Sequence, residues 1–375
     1  MSPEKPYRVM VVDDSAVIRG LLTRSLESDP AIAVIASVQN GAHAVQTVER
    51  REKDIEVVVL DIEMPVMDGL TALPLLIKAK PGVQVIMAST LTRKNAEISL
   101  RALQDGAADY VTKPSSSGAM SSADEFKREL TEKVKVLGQV ARASLGARSR
   151  ADLPARKVTA VKAAKPPLYR DLKIELRRAP IRPPTALAIG SSTGGPQALL
   201  QFLSDLGQGI RLPIFVTQHM PATFTTLLAE HISRATAFDC GEGSNGERVT
   251  DGRIHLAPGG YHMVVEPSSP KPVIRLNQDP PESYCRPAVD PMLRSLSKVY
   301  GAGLLVVILT GMGSDGSRGC QAVIAAGGSV IAQDEATSVV WGMPGSVATA
   351  GLCTAVLPLS EIAPYIRKLL VRSAA

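Results

Sequence analysis

The chain of 375 residues contains no long hydrophobic run. A membrane-spanning helix needs about 20 consecutive apolar residues, and no stretch of this sequence approaches that length. The first residues, Met1 to Lys5, also lack the charged and then apolar layout of a secretory signal peptide. We therefore expect a cytoplasmic protein that is not embedded in a membrane.

Cysteine is scarce as well. The four cysteines are widely spaced and confined to the C-terminal part of the chain: Cys240, Cys285, Cys320 and Cys353. No two of them form the C-x-x-C pair that is typical of zinc sites and thiol redox motifs. Neither a disulfide framework nor a zinc site is indicated, and the thiols are expected to be reduced.

The positive charge of the chain is concentrated in one segment. The formal net charge is +6, but residues 133–183 alone hold 14 basic and three acidic side chains, a net charge of +11. The rest of the chain is therefore mildly acidic, which argues against a nucleic-acid-binding domain. The segment is also rich in alanine and proline, a composition typical of a semi-stiff, solvated linker.

The length of the chain indicates two domains joined by this linker, because 375 residues exceed what one ordinary hydrophobic core supports. We predict a first domain over residues 5–125, a helix end and basic linker over 126–183, and a second domain over 184–375. Both domains show apolar runs that alternate with helical patterns, as in α/β proteins with mainly parallel sheets.

The first domain contains five predicted βα units. Strands are predicted over 7–12, 32–38, 57–60, 83–88 and 109–111, with helices over 16–27, 42–51, 70–78 and 95–104. Ligands of such sheets bind beyond the C-terminal ends of the strands. There the sequence places three carboxylates, two adjacent hydroxyls and one ammonium: Asp13, Asp14, Asp61, Ser89, Thr90 and Lys113. We expect these groups to converge on one small site.

This set of groups predicts phosphoryl chemistry. Clustered carboxylates repel one another unless a hard divalent cation such as Mg²⁺ neutralises them. With Asp13 and Asp14 on the metal, Asp61 can act as an oxygen nucleophile and carry an acyl phosphate. Lys113 and the Ser89 hydroxyl would then hold the phosphoryl oxygens. Ser89 is favoured over the adjacent threonine because it directly follows the strand.

The same residues lie in motifs that resemble the receiver domain of two-component response regulators. The motifs are Val11-Val12-Asp13-Asp14-Ser15, Leu60-Asp61-Ile62-Glu63-Met64-Pro65, Asp68-Gly69, Gly106-Ala107 and Tyr110-Val111-Thr112-Lys113-Pro114. The resemblance implies a flavodoxin-like (βα)5 fold and phosphorylation of Asp61 by a partner histidine kinase. It also implies Mg²⁺ bound by Asp13, Asp14 and Asp61, and a cis peptide bond between Lys113 and Pro114.

The second domain repeats the α/β pattern with a small insertion. Strands are predicted over 185–189, 214–218, 304–309 and 329–332, with helices over 197–206, 223–235, 289–299 and 317–326. Segments 253–257, 261–266 and 273–276 indicate a hairpin or meander that turns at Pro258-Gly259-Gly260. We therefore expect a second doubly wound, mainly parallel sheet with a small antiparallel hairpin.

A glycine-rich loop follows the first strand of this second domain. As G-x-S-x-G, residues 190–194 present Ser192 at the tip of a strand-to-helix turn, where a serine nucleophile is exposed. His219 and Asp315 also follow predicted strands, so the three side chains share one sheet edge. His219 can accept the serine proton and Asp315 can orient the imidazole. Their order along the chain differs from the Ser, Asp, His order of ordinary α/β-hydrolases.

Other interpretations of these residues remain open. The Ser192 loop equally suits a plain βα turn that caps the next helix. Rival histidines and carboxylates are present at His255, His262, Asp290 and Asp334. Residues 311–316 also fit G-x-G-x-x-G, so the alternative is a non-catalytic response regulator whose second domain binds a nucleotide or a partner. The same glycines suit a loop in which the Met312 N–H stabilises an oxyanion.

Taken together, the motifs of the second domain resemble those of the chemotaxis protein-glutamate methylesterases, in which a receiver, a linker and a catalytic domain follow one another. The matching segments are 189–196, 217–221, 256–259, 286–290, 309–316 and 342–344. The resemblance implies that Ser192 is the nucleophile, His219 the base and Asp315 the orienting acid. It also implies that Thr193 and the Met312 backbone support the site.

The substrates implied by this resemblance are glutamate methyl esters on chemoreceptors, with deamidation of receptor glutamines as a second activity. The esterase would need no cofactor, and only the receiver would bind Mg²⁺. Phosphorylation of Asp61 is expected to shift the population toward a form with an open active site. The linker departs from the family by being longer and more basic than a minimal family linker.

Overall fold

The computed structural model describes residues 5–50, 55–113, 120–151, 174–178 and 182–371. The chain forms two compact units, Met1–Arg170 and Asp171–Ala375. Within the described ranges, no helix has both the length and the apolar character that a membrane crossing requires.

The first unit is a five-stranded sheet with helices between the strands. Its elements are β1 (Tyr7–Val12), α1 (Ala16–Glu27), β2 (Ile32–Val38), α2 (Gly41–Arg50), β3 (Val57–Asp61), α3 (Gly69–Ala79), β4 (Gln84–Ser89), α4 (Arg93–Gln104), β5 (Asp109–Thr112) and α5 (Met120–Ala151). The strands pair in parallel in the order β2-β1-β3-β4-β5. The predicted fold of this unit is confirmed.

The inner strands of this sheet are apolar throughout because helices cover both faces of it. Every residue of β3 is buried, although the strand ends in the carboxylate of Asp61. The helices begin at polar caps: the side chains of Ser15, Asp68 and Thr92 accept hydrogen bonds from backbone N–H groups in the first turns of α1, α3 and α4. The strand order reverses between β1 and β3, so a ligand crevice is expected at their C-terminal ends.

The second unit contains a seven-stranded sheet and a separate hairpin. Its elements are β6 (Ala186–Ser191), α6 (Gly195–Leu206), β7 (Ile214–Gln218), α7 (Ala222–Ala235), β8 (Asp239–Glu242), β9 (Arg253–Leu256), β10 (His262–Glu266), β11 (Val273–Asn277), α8 (Val289–Tyr300), β12 (Leu304–Ile308), α9 (Ser317–Ala325), β13 (Ser329–Gln333), α10 (Met343–Thr349), β14 (Ala355–Leu357) and α11 (Leu359–Val371).

The topology of this sheet places β6 at its centre. The order is β14-β13-β12-β6-β7-β9-β8, and all the pairings are parallel. The strands on the β7 side of the sheet follow β6 directly in the chain, and those on the β12 side come later, so the strand order reverses next to β6. The crevice at this reversal lies at the C-terminal end of β6, where Ser192 follows.

The predicted meander is wrong in one part. Segment 253–257 was expected to pair antiparallel across Pro258-Gly259-Gly260, but β9 joins the main sheet, parallel to β7 and β8. Only β10 and β11 form the antiparallel hairpin. The turn residues instead pack against the start of α7. Gly259 lies so close to the backbone of Pro221 and Ala222 that a side chain at this position would overlap it. A short loop there connects two sheets, not two strands of one hairpin.

The linker prediction falls mostly on residues that are not described. Residues 152–173 and 179–181 lie outside the described ranges, as does Pro114 and with it the predicted cis bond to Lys113. Helix α5 continues to Ala151, which is well into the segment predicted as helix end and linker. Within 174–178, the backbone N–H of Arg177 donates to the carbonyl of Cys353 at 2.8 Å, which attaches this piece to the rest of the second unit.

Candidate functional site

Three carboxylates meet at the crevice of the first unit. Asp13 and Asp14 follow β1 and Asp61 ends β3, and one oxygen from each lies within 4.8 Å of the other two. Asp13 is held in place by its own loop, since its Oδ1 accepts the backbone N–H of Ser15 at 2.9 Å. The sequence places these residues together because β1 and β3 are neighbours in the sheet.

Lys113 joins this cluster from the end of β5. Its Nζ lies 2.6 Å from Asp13 Oδ2 and 2.6 Å from Asp61 Oδ1. Burial raises the pKa of Asp61 above its usual value; the ammonium of Lys113 opposes the shift and the charge of Asp13 adds to it. One cation against three carboxylates leaves the cluster negative, which suits a divalent cation.

The two hydroxyls at the end of β4 differ in their contacts. Thr90 Oγ1 accepts a hydrogen bond from Asn95 Nδ2 at 2.8 Å. The Ser89 hydroxyl is buried and has no hydrogen-bond partner among the described residues. A buried hydroxyl without a partner is costly unless a ligand satisfies it. Ser89 therefore fits a phosphoryl group on this face better than Thr90 does.

Arg19 is a contributor to this site that sequence reasoning missed. Its Nη1 donates to the carbonyl oxygens of Asp13 and Asp14 at 2.7 and 3.0 Å. These bonds tie α1 to the acidic loop and fix the backbone that carries two of the three carboxylates. No motif singles out this arginine, because it acts on backbone atoms.

In the second unit, Ser192 stands on a firmly held turn after β6. Gly194 adopts a left-handed conformation with φ 74°, and the N–H of Gly195 donates to the Ser192 carbonyl at 2.7 Å. The buried Ser191 hydroxyl donates to Gln218 Oε1 at 2.6 Å, and Gln218 Nε2 donates to the Ser192 carbonyl at 2.9 Å. Gln218 thus fixes the backbone on both sides, and the Ser192 side chain remains partly exposed.

His219 and Asp315 meet beside this turn. His219 Nε2 lies 2.7 Å from Asp315 Oδ2. The same carboxylate accepts backbone N–H groups at the N-terminus of α8, from Val289 at 2.6 Å and Asp290 at 3.0 Å, and from Gly316 at 2.8 Å. A helix N-terminus favours a negative charge, so α8 holds Asp315 as an anion.

The electrostatics of this pair follow from these contacts. Burial by itself would raise the pKa of Asp315, but the His219 contact and the N–H groups of α8 hold that pKa below its usual value. Burial alone would lower the pKa of His219, but the charges and hydrogen bonds of Cys285 and Asp315 outweigh it and raise the pKa to about 10. The pair therefore favours a charged imidazolium beside a carboxylate.

The second ring nitrogen of His219 does not contact Ser192. Its Nδ1 lies 3.3 Å from the sulfur of Cys285. Across the described parts of the chain, no hydrogen bond joins the Ser192 hydroxyl to His219. The structure thus places His219 and Asp315 beside the Ser192 turn, since the backbone N–H of His219 donates to the Ser191 carbonyl at 3.2 Å, but the serine and the imidazole are not hydrogen-bonded to each other. Cys285 went unnoticed as a site residue because it lies 66 positions from His219.

The rival side chains have other partners. His255 is buried on β9, with Nδ1 3.1 Å from Glu247, and the Thr250 N–H donates to its Nε2. His262 Nδ1 accepts the N–H of Ala288, and Asp290 caps the first turn of α9 through the N–H of Gly319. Asp334 receives the N–H and hydroxyl of Thr337 in a local turn. None of these contacts reaches Ser192.

The loop after β12 packs directly against the Ser192 turn. The N–H of Ser192 donates to the Thr310 carbonyl at 3.1 Å, and the Thr310 hydroxyl donates to the carbonyl of Thr193 at 3.0 Å. Gly311 touches Ser192 so closely that a side chain there would lie 2.9 Å from Ser192 Cβ. Met312 follows immediately and is partly exposed, while Thr193 is buried.

Replacing Gly311 by alanine is expected to disturb this contact. Because the new methyl group overlaps Met343 Sδ most closely and Ser192 as well, we expect a loss of about 1–3 kcal/mol in the free energy of unfolding and a lower turnover number. Denaturant unfolding and ester hydrolysis measure the two effects. Gly20→Ala is the control, since Gly20, like Gly311, has no left-handed φ, and no atom lies within 4 Å of its added methyl. Equal behaviour of the two variants would contradict the packing argument.

Comparisons with known proteins identify the family of the chain. The chain matches the family model "CheB methylesterase" over residues 187–366 and the family model "Response regulator receiver domain" over residues 9–123. It is 56% identical over 99% of its length to a protein of Rhodospirillum centenum, of which the match covers 95%. That relative is named protein-glutamate methylesterase/protein-glutamine glutaminase of group 2 operon.

The chain belongs to the CheB methylesterase family. A second relative, protein-glutamate methylesterase/protein-glutamine glutaminase 1 of Paramagnetospirillum magneticum, is 56% identical over 97% of this chain and 96% of that protein. Among solved structures, the catalytic domain of Thermotoga maritima CheB methylesterase is 38% identical and covers 50% of this chain and 98% of that one, with a TM-score of 0.49. The expectation of a CheB-type receiver and methylesterase chain is confirmed by the two family models and the named relatives.

Proposed function

We propose that this chain hydrolyses glutamate methyl esters on chemoreceptors and deamidates receptor glutamines, under control of phosphorylation at Asp61. The observation that carries the proposal is the crevice beside β6, where a partly exposed Ser192 lies next to the 2.7 Å pair of His219 and Asp315. The relatives that match over nearly the whole chain carry both activities in their names. The order of the two domains supports control by a receiver.

The reaction assigned to the crevice is acyl transfer through a serine ester. The neutral form of His219 takes the Ser192 proton on Nδ1 as the hydroxyl oxygen attacks the ester carbonyl, and the imidazolium so formed protonates the departing methoxide. The resulting glutamyl ester on Ser192 is hydrolysed by a water that gives its proton to the same nitrogen. Asp315 keeps Nε2 protonated and stabilises the imidazolium, as its 2.7 Å contact and its low pKa require.

The tetrahedral oxyanion needs hydrogen-bond donors close to Ser192. The Met312 N–H is our candidate donor, since Gly311 brings this loop into contact with the serine. Thr193 supports the turn from the other side, because its carbonyl accepts the Thr310 hydroxyl. With methyl ester the leaving group is methanol, and with glutamine it is ammonia. No cofactor takes part in either reaction as proposed.

Phosphorylation is assigned to the acidic cluster of the first unit. Asp13, Asp14 and Asp61 would hold Mg²⁺, an assignment supported by oxygen ligands that lie within 4.8 Å of one another. When bound, the ion neutralises negative charge on the phosphoryl oxygens. Asp61 accepts the phosphoryl group from a partner histidine kinase, Lys113 pairs with the added charge, and the unpartnered Ser89 hydroxyl donates to it.

The expected consequence of phosphorylation is a shift between two populations. In the unphosphorylated form the Ser192 crevice is closed to the substrate in most molecules, and the phosphoryl group favours the open form. The partners are accordingly a kinase that supplies the phosphoryl group and chemoreceptors that supply the ester. No nucleic acid is expected among them.

The nucleotide-binding alternative is less well supported. In a dinucleotide site, the acidic residue after the next strand must be free to bind a ribose. Asp334, which has this position, instead accepts the N–H and hydroxyl of Thr337. Asp315, inside the glycine loop, contacts His219. The loop therefore favours a hydrolytic centre over a nucleotide site or a non-catalytic partner module.

The experiment that tests this function is the release of methanol from methylated chemoreceptor membranes, with and without a small acyl phosphate as phosphodonor. We expect the donor to raise the rate of the wild-type protein about tenfold or more, since a minor open state of 10% or less becomes dominant. In Asp61→Asn the donor should have no effect, because the amide cannot form an acyl phosphate.

The matched control is Asp124→Asn, which changes an exposed carboxylate of the same unit and should respond like the wild type. A full response of Asp61→Asn to the donor would contradict the assigned phosphorylation site. Absence of methanol release from all three proteins would contradict the proposed activity itself. Ammonia release from receptors that carry glutamine at the same positions measures the second activity.

A further inference from the structure

Cys285 differs from the other three cysteines of the chain. Cys240, Cys320 and Cys353 are buried, whereas Cys285 is partly exposed. Its sulfur lies 3.3 Å from His219 Nδ1, the nitrogen that must accept the Ser192 proton. Cys285, His219 and Asp315 therefore form a second arrangement of nucleophile, base and acid. In it, the sulfur occupies the position next to the imidazole that is expected for the Ser192 oxygen.

A tight turn holds Cys285 in this position. The backbones of Glu282 and Cys285 exchange two hydrogen bonds, of 2.9 and 3.2 Å, across Ser283 and Tyr284. Both turn residues have left-handed φ angles, 51° and 62°, which side chains other than glycine rarely adopt. Conformations of this kind persist where the surrounding structure fixes them, and they are concentrated at functional sites.

The turn is also fixed to two helices. Both carboxylate oxygens of Glu282 contact Arg294 on α8: Oε2 lies 2.9 Å from Nη1, and Oε1 pairs with Nη2. Glu282 Oε2 also lies 3.5 Å from Arg318 Nη2 on α9. Arg286, on the other side of Cys285, donates to the carbonyl oxygens of Gln278 and Asp279. The chain is therefore fixed on both sides of Cys285, and this holds the sulfur against the imidazole.

Polar and charged groups face both ring nitrogens of His219. Asp315 faces Nε2 and Cys285 faces Nδ1, while Asp290 lies behind Asp315 and is itself paired with Arg318 at 3.2 Å. Burial opposes a charged ring, but the two facing groups outweigh it and raise the pKa of His219 to about 10. An imidazolium next to a sulfur stabilises the thiolate, which is the reactive form of cysteine.

We propose that Cys285 and His219 form a reactive thiol–imidazole pair, so that the esterase centre is also a modification site for hydroperoxides and alkylating electrophiles. Modification of the sulfur blocks Nδ1 and stops ester hydrolysis. The second part of this proposal rests on the proposed role of His219 as the esterase base. The first part, the reactivity of the thiol, does not depend on esterase activity.

The modification step is a simple displacement. The Cys285 sulfur attacks one oxygen of a hydroperoxide, an S–O bond forms and the O–O bond breaks. The thiol proton passes by way of His219 Nδ1 to the departing alkoxide, which leaves as an alcohol. Sulfur loses two electrons and the peroxide gains two, so a thiol and a hydroperoxide give a sulfenic acid and an alcohol. With iodoacetamide an S–C bond forms and iodide leaves.

The first test measures thiol reactivity alone. The folded full-length protein is treated with limiting iodoacetamide at pH 6, and the alkylated fraction of each cysteine is determined by peptide mass spectrometry. We expect Cys285 to react at least tenfold faster than Cys240, Cys320 and Cys353. Its rate should fall at least tenfold in His219→Gln but remain in Ser192→Ala, which keeps the imidazole. Equal rates for all four cysteines, or an unchanged rate in His219→Gln, would overturn the pair.

The second test measures the consequence for hydrolysis. Methanol release by the wild type should fall in proportion to the alkylated fraction of Cys285, and treatment with hydrogen peroxide should abolish it until a thiol reductant is added. Cys285→Ser and Cys285→Ala should resist both reagents, whereas Cys240→Ser, which changes a buried thiol, should remain sensitive. Normal hydrolysis by protein that is fully alkylated at Cys285 would overturn the proposal that modification stops hydrolysis. Inactivation of Cys285→Ser by either reagent would overturn it as well.

A pH profile separates this role from mere packing. Removing the facing sulfur lowers the pKa of His219, so the acid limb of kcat/KM in Cys285→Ser should move to lower pH. At pH values below the acid limbs of both proteins, the variant should have a kcat/KM about tenfold higher for each pH unit by which its limb is displaced. A limb at the same pH in variant and wild type would contradict the pair. If no protein hydrolyses ester at any pH, the proposed function fails while the alkylation result still stands.

Discussion

Ser192→Ala is expected to lower the turnover number for methyl-ester hydrolysis by a factor on the order of 10⁶, the loss that removal of a triad nucleophile typically causes. The physical reason is that the variant lacks the hydroxyl that forms the acyl intermediate. Ser191, its neighbour, is buried and donates to Gln218 Oε1 at 2.6 Å. Methanol release from methylated receptors measures the effect.

The control for this variant is Ser314→Ala, which removes an exposed hydroxyl from the loop that follows Met312. It should hydrolyse the ester at close to the wild-type rate. Both proteins should unfold at the wild-type temperature, because neither change opens a cavity or leaves a buried polar atom without a partner. Substantial hydrolysis by Ser192→Ala would show that Ser192 has no covalent role.

Asp315→Asn is expected to have the second-largest effect, a loss of roughly 10⁴ in turnover. The amide can no longer stabilise the imidazolium or hold Nε2 protonated. It also loses charge at a position where three backbone N–H groups converge, so the free energy of unfolding should fall by about 1–3 kcal/mol. Turnover and denaturant unfolding are therefore measured on the same protein.

The pH dependence of the residual activity gives an independent check on this role. Asp315 contributes to the raised pKa of His219, so its neutralisation lowers that pKa. The imidazole then becomes an available base at lower pH, and the acid limb of the residual activity should move to lower pH. Asp334→Asn is the control, since the Asp334 carboxylate accepts the N–H and hydroxyl of Thr337 in a local turn, and its change should alter neither turnover nor the limb. An Asp315→Asn profile with an unshifted limb would contradict the assigned pairing.

Much of the fold could be predicted because the chain alternates apolar strands with amphipathic helices. The strand of residues 7–12 was predicted with the bounds of β1, and that of 214–218 with the bounds of β7. Parallel strands buried on both faces have a clear pattern of their own. The segment of β9 was misassigned, because a four-residue strand has the same local pattern in a hairpin and at the side of a parallel sheet.

The candidate residues at strand ends could be predicted because one sheet edge collects them. Their supporting contacts could not. Gln218 fixes the Ser192 turn from 26 positions away, and the N–H groups of Val289 and Asp290 hold Asp315 from the start of another helix. Such partners act through backbone atoms or through folding that brings distant segments together. The contact of Cys285 with His219 belongs to the same class, since a lone cysteine has no local signature.

The central claim, that Ser192 is the nucleophile of a glutamyl methylesterase, is tested most directly by titrating the protein with a serine-directed phosphonate. At each step the labelled fraction of Ser192 is determined by peptide mass spectrometry, and methanol release from methylated receptors is measured on the same sample. We predict that activity falls linearly with labelling and reaches zero when one phosphonate is bound at Ser192. Methanol release that persists in fully labelled protein, or loss of activity with the label on another residue, would contradict the claim.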